Sequence, residues 1–113
     1  MTEITIYHNP RCSKSRQTLN LLLEKGYEPT IVLYVETPPD SDTLRNIGRM
    51  LGVSLIDIVR KGETAFQAGM IEWSEDKLLA EMTANPILIE RPIVVSGGKA
   101  RIGRPPESVL DIL

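Results

Sequence analysis

The chain has 113 residues, 42% of them apolar and 25% charged, which suits one globular domain large enough to bury its own core. Its net charge of -2 argues against a general nucleic-acid or membrane surface, and its single cysteine excludes an intramolecular disulfide. One Cys and one His argue against a zinc site, and with no charged-then-apolar leader and no apolar run long enough for a bilayer the chain reads as cytoplasmic, where a thiol stays reduced.

The first predicted element is a strand over Ile4 to His8, with Ile4 and Ile6 alternating onto one face. A tight turn follows, and a helix runs from about Ser13 to Lys25, with Leu19, Leu22 and Leu23 at helical spacing and Gly26 as its stop. The apolar run Thr30 to Val35 predicts a second strand buried on both faces. Pro38-Pro39 breaks it, and Asp40 or Ser41 caps a helix carrying Leu44, Ile47 and Leu51 on one side and ending at Gly52. Ser54 opens a short helix with Leu55, Ile56 and Val59, and Gly62 and Gly69 mark breaks. Ser74 caps a further helix, with Glu75 and Asp76 where the helix dipole favours acids and Leu78, Leu79 and Met82 on its buried side. Pro92 to Val95 and Ala100 to Ile102 read as strands of a hairpin joined through Gly97-Gly98. Pro105-Pro106 opens a last helix with Val109, Leu110 and Leu113. The order is βαβα, a helical insert, then ββα. With the insert set aside, this is the thioredoxin arrangement of a parallel pair, an antiparallel hairpin and flanking helices.

Cys12 falls where the first helix begins, beyond the carboxyl end of the first strand, the edge at which ligands bind in α/β sheets. A helix start offers unpaired N–H groups and the positive end of the backbone dipole. Both favour thiolate over thiol, and both hold an oxyanion. Arg11, Lys14 and Arg16 add positive charge, and Arg supplies eight of the thirteen basic residues. Ser15 stands where a dithiol exchanger has its second cysteine, and Thr18 stands where a cysteine-phosphatase loop has its arginine. His8, at the end of the first strand, reads as a group that touches Ser15 or the thiolate and tunes the loop rather than acting as a general base.

These residues carry a resemblance. Tyr7-His8-Asn9-Pro10-x-Cys12-x-x-Ser15-Arg16, Glu28-Pro29-Thr30-Ile31, Val59-Arg60-Lys61, the run from Asn85 to Val95 and Arg101-Ile102-Gly103-Arg104-Pro105 together resemble the arsenate reductase family of the thioredoxin superfamily, of the glutathione- and glutaredoxin-coupled type. The resemblance covers essentially the whole chain. It implies an α/β, thioredoxin-like fold with a mixed four-stranded sheet, flanking helices and a helical insertion after the second strand. It implies one domain over 1–113, with the insertion at about 41–85. It implies Cys12 as nucleophile, Arg60, Arg91 and Arg104 converging on it, and His8, Ser15 and Arg16 binding substrate or tuning the thiolate. It places a cis-proline at Pro92, opposite the cysteine. The implied partners are arsenate or a similar oxyanion, glutathione as reducing co-substrate and glutaredoxin. No bound cofactor, metal, nucleic acid or membrane is implied. A lone cysteine suits such a scheme, because a protein without a resolving thiol takes its electrons from outside. Two other readings share the scaffold: an Spx-like regulator of RNA polymerase, and a monothiol deglutathionylating oxidoreductase. Ser15 in place of a second cysteine argues against a disulfide sensor of the Spx kind.

Overall fold

A computed structural model describes residues 3–113 of the chain. Residues 3–37 and 91–113 make one compact unit, and residues 38–90 make another.

The first unit is built on a four-stranded sheet in the order β2-β1-β3-β4. Strand β1 (Ile4–His8) alternates buried and half-buried positions, which places Ile4, Ile6 and His8 on the inner face. It pairs in parallel with β2 (Thr30–Leu33), in the register His8 opposite Leu33, and antiparallel with β3 (Ile93–Ser96). Strand β4 (Lys99–Ile102) completes a hairpin with β3. Its turn is Gly97-Gly98 at φ +60° and +76°, a left-handed pair that only glycine adopts readily and that matches the twist of the strands. Together with α1 (Ser13–Glu24) and a closing 3-10 segment (Pro106–Ile112), this is a thioredoxin-like sheet with its flanking helices. Ile4, Ile6, Leu22, Val94 and Val109 form the core, with Leu19 and Ile112 packed against it. Burying each such aliphatic side chain stabilises the fold by roughly 1.5–3 kcal/mol.

Three local expectations are corrected. Strand β2 is not buried on both faces: it is the sheet edge, it ends at Leu33, and Ile31 and Val35 are about half exposed. The chain turns there because the N–H groups of Glu36 and Thr37 both donate to the Leu33 carbonyl. Helix α1 buries Ser15, Thr18 and Leu22, while Leu23 is exposed. Those three positions share one face at 3.6 residues per turn, so two small polar residues and one leucine make the inner stripe. The closing segment is 3-10 rather than α and buries Val109, leaving Leu113 partly exposed.

The second unit is helical. Asp40 caps α2 (Ser41–Leu51) by accepting the Thr43 N–H at 2.8 Å, and Leu44 and Ile47 are buried. A 3-10 turn over Leu55–Ile58 follows, closed by reciprocal Ser54 and Asp57 hydrogen bonds. Of the expected Leu55, Ile56 and Val59, Leu55 and Val59 are buried, and Ile58 is buried in place of the half-buried Ile56. Gly69 lies inside a second 3-10 turn, Ala68–Glu72, rather than at a break. Helix α3 (Glu75–Ala84), capped by Ser74, buries Leu78, Leu79 and Met82. A short antiparallel bridge pairs Val59 with Ile89, and the Arg60 N–H and Glu90 N–H donate across it to Leu88 and Ile58.

Gly103, just after β4, is required by packing. A Cβ there would lie 2.5 Å from Thr18 Oγ1 and 2.7 Å from Pro92 Cγ. Neither neighbour is the free end of a flexible chain: Thr18 is buried and bonded to the Lys14 carbonyl, and Pro92 is a ring whose carbonyl accepts the Gly103 N–H. Gly103→Ala should therefore destabilise the protein by about 1–3 kcal/mol, lowering its melting temperature by several degrees, with reduced activity because Arg104 is the next residue. Thermal denaturation checks it; an unchanged melting temperature would contradict this account of the contact.

Candidate active site

The site is assembled at the carboxyl end of β1. Asn9 organises the turn: its carbonyl accepts the Cys12 N–H, and its side-chain oxygen accepts the Arg11 N–H, both at 3.0 Å. An Asn that folds back on the next residues is a common way to start such a turn. Cys12 then becomes the N-cap of α1, and its carbonyl accepts the first helical hydrogen bond, from Arg16. Its sulfur faces the Lys14 and Ser15 N–H groups without closing a capping hydrogen bond. No acidic side chain lies in the first turn of α1, so nothing there offsets the positive end of the helix.

Two arginines of the same unit complete the surroundings of the sulfur. Arg104 donates from Nη2 to Cys12 Sγ at 3.5 Å and from Nε to the Arg91 carbonyl at 2.8 Å. Its guanidinium is thus fixed at one end on the backbone and presented at the other to the sulfur. Arg91 is buried and precedes a cis bond to Pro92, as the resemblance implies; its side chain hydrogen-bonds toward the sulfur. Burial alone would push the Cys12 thiol up. The Ser15 N–H, the Arg91 side chain, the Lys14 N–H and the charge of Arg104 outweigh it, and the net shift is down.

That direction sets a pH dependence. A thiol whose pKa is depressed on folding contributes stability that is present above the unfolded value and is lost as pH falls through the lowered folded value. The same ionisation makes the nucleophile. Thiolate absorbance of Cys12, and any reaction it drives, should rise with pH through a midpoint below the roughly 8.5 of a free cysteine. A midpoint at or above that value would remove the basis for an activated sulfur.

His8 and Ser15 form a support behind the loop. The Asn9 N–H donates to Ser15 Oγ at 3.0 Å, and Ser15 Oγ lies 2.6 Å from His8 Nδ1. Burial, and then the charge of Arg16, lower the His8 pKa and keep the ring neutral near pH 7. A neutral ring has one donor and one acceptor nitrogen, and its tautomer decides whether Nδ1 donates to or accepts from the Ser15 hydroxyl. Both side chains are committed to the loop. So is Arg16, whose Nη1 donates to the Pro10 carbonyl at 2.8 Å. Arg11 is exposed and Lys14 is half-buried on the rim.

Arg60 belongs to the second unit. There Nη1 binds Glu90 at 2.8 Å and Nε lies 3.4 Å from Glu63. Asn9 had no role at the level of sequence, although an Asn-Pro pair at a turn could have flagged it. Among the described residues no group of three metal-ligating side chains occurs, and no helix is long and apolar enough to cross a membrane.

Guanidinium and backbone N–H donors lower the pKa of this sulfur and so favour its attack on an electrophile, and the same donors favour one that carries negative oxygens. The molecule is of the class of thiol enzymes built on a thioredoxin-like scaffold. The profile of the ArsC family matches residues 7–112, and this chain belongs to the ArsC family. It is 53% identical to the uncharacterized protein YfgD of Escherichia coli strain K12, over 98% of this chain and 97% of that one. It is 46% identical to an arsenate reductase of Escherichia coli, over 100% of this chain and 82% of that one. The solved structure of an arsenate reductase from Vibrio cholerae matches it with a TM-score of 0.94 at 44% identity, covering 99% of this chain and 98% of that one.

Proposed function

We propose that this protein reduces arsenate to arsenite, with Cys12 as nucleophile and glutathione and glutaredoxin as the source of electrons. The observation that carries the reading is the placement of Arg104 and Arg91 on the Cys12 sulfur at a helix start. The donors that favour the thiolate are those an incoming tetrahedral oxyanion needs. The Cys12 thiolate attacks arsenic, and one arsenate oxygen leaves, protonated, as water. Arg91 and Arg104 hold the remaining oxygens as charge shifts onto them. A glutathione thiolate then attacks Cys12 Sγ. The sulfur–arsenic electron pair stays on arsenic, which becomes trivalent and departs as arsenite. Cys12 is left in a disulfide with glutathione, which glutaredoxin resolves. Cys12 is the one cysteine of the chain and Ser15 has no thiol to resolve it, which supports an external reductant. The scheme suits the cytoplasm, where thiols are kept reduced.

Arg60 is the third arginine that the family resemblance implies. Within its own unit Nη1 and Nε face Glu90 and Glu63, which leaves Nη2 as the donor for a part in binding arsenate. Arg60→Ala tests that role separately from the other two.

The test of the reading is NADPH oxidation in the presence of glutathione, glutaredoxin and glutathione reductase. Oxidation should require arsenate and this protein together. No arsenate-dependent oxidation would overturn the reading. Oxidation driven instead by a glutathione mixed disulfide would favour the monothiol reaction, which Cys12 followed by Ser15 would also suit.

A further inference from the structure

Tyr34 is the largest side chain with no exposed surface, and its hydroxyl is one of the few buried side-chain polar atoms without a hydrogen-bond partner among the described residues. Such groups are rare in folded proteins and call for a reason. Its place in the fold supplies one. Leu33 is in register with His8, so Tyr34, where the chain turns out of β2, and Asn9, the first residue beyond β1, both stand at the carboxyl edge where the site is built. The hydroxyl faces the Asn9 side chain and the Arg91 guanidinium without a closed hydrogen bond to either, and it is near enough to Cys12 to feel its charge. Burial pushes the phenol pKa up, against the pull of Arg91 and Asn9, so the hydroxyl keeps its proton.

We propose that Tyr34 is a positioning residue of the anion site, whose hydroxyl takes up an N–H of Arg91 when that guanidinium closes on a tetrahedral oxyanion beside Cys12. The hydroxyl then donates a hydrogen bond to Asn9 Oδ1, which already accepts the Arg11 N–H and has a second lone pair. One chain of hydrogen bonds would link Arg91, Tyr34, Asn9 and the turn that carries Cys12. Phenylalanine fills the same space and cannot make the link. With no anion bound the unpaired hydroxyl is a cost, so a tyrosine here trades stability for binding. The proposal deepens the reductase reading in naming Arg91 as the anion contact, and it stands on anion binding alone.

The test is Tyr34→Phe, probed with inorganic sulfate, which binds as an oxyanion and does not react. Sulfate should raise the melting temperature of the native protein. In Tyr34→Phe the sulfate-free melting temperature should be unchanged or higher, and sulfate affinity weaker by roughly 3- to 10-fold, the worth of one hydrogen bond. In an Arg91→Lys background Tyr34→Phe should add no further loss, because the hydroxyl acts through the guanidinium. Equal sulfate affinity in Tyr34→Phe, with or without a lower melting temperature, would overturn the proposal. So would an undiminished effect in the Arg91→Lys background, or a native protein that sulfate does not stabilise. If sulfate binding depends on Tyr34 but arsenate is not reduced, the reductase reading fails and the role of Tyr34 stands; arsenate reduction with Tyr34-independent sulfate binding is the reverse result.

Discussion

Cys12→Ser should abolish arsenate reduction, a loss of at least about a thousandfold, while leaving the thermal transition close to that of the native protein. Serine is nearly the same size, and the Cys12 N–H and carbonyl, not its side chain, make the bonds that hold the turn and start α1. What is lost is the ionised sulfur. A serine hydroxyl stays protonated beside Arg104, because neither the helix start nor two guanidiniums bring an alcohol near its pKa at neutral pH. Arsenate-dependent NADPH oxidation and a melting curve on the same preparation check both halves. Residual activity above a few per cent would mean that another group carries the chemistry.

Arg104→Lys should lower kcat/KM by about a hundredfold, with turnover falling as well as KM rising. Charge is conserved in this substitution and geometry is not. Arg104 spans two acceptors at once, the Arg91 carbonyl through Nε and Cys12 Sγ through Nη2. A lysine ammonium is a single point that cannot bridge them and cannot present a planar fork to a tetrahedral anion. The Cys12 pKa should stay near its native value in the same variant, since the positive charge that helps to lower it is kept. If Arg104 only gathers substrate, KM alone will change. Steady-state kinetics against arsenate, with a thiolate titration, separates the two outcomes.

Some of this site was legible in the sequence because its parts are local. Strand β1, the Asn-Pro turn and the cysteine at the first turn of α1 follow from alternation, punctuation and helix-start chemistry within thirteen residues. The hairpin was legible through Gly97-Gly98, and α3 through Ser74 with its two acids. What escaped depends on pairing across long separations. Nothing between Thr30 and Val35 says that β2 lies at an edge, because an edge is a property of strand order. Leucine spacing found Leu22 and Leu19 on the core side of α1 but also took in the exposed Leu23 and passed over Ser15 and Thr18. Thr18 faces inward where Gly103 packs close against it, and Ser15 faces inward onto His8 and the Asn9 N–H. The grip of Arg104 on the Arg91 backbone joins residues thirteen apart, across the hairpin. The resemblance named both residues, but only the folded hairpin shows how one holds the other in place.

Arsenic should bond to Cys12 with Arg91 and Arg104 on its oxygens. The most direct measurement is a crystal of the protein soaked in arsenate and recorded at the arsenic absorption edge. The account predicts an anomalous peak at covalent distance from Cys12 Sγ, with the guanidiniums of Arg91 and Arg104 donating to the arsenate oxygens. Arsenic bound away from Cys12, or bonded to it with those two guanidiniums turned elsewhere, would contradict it.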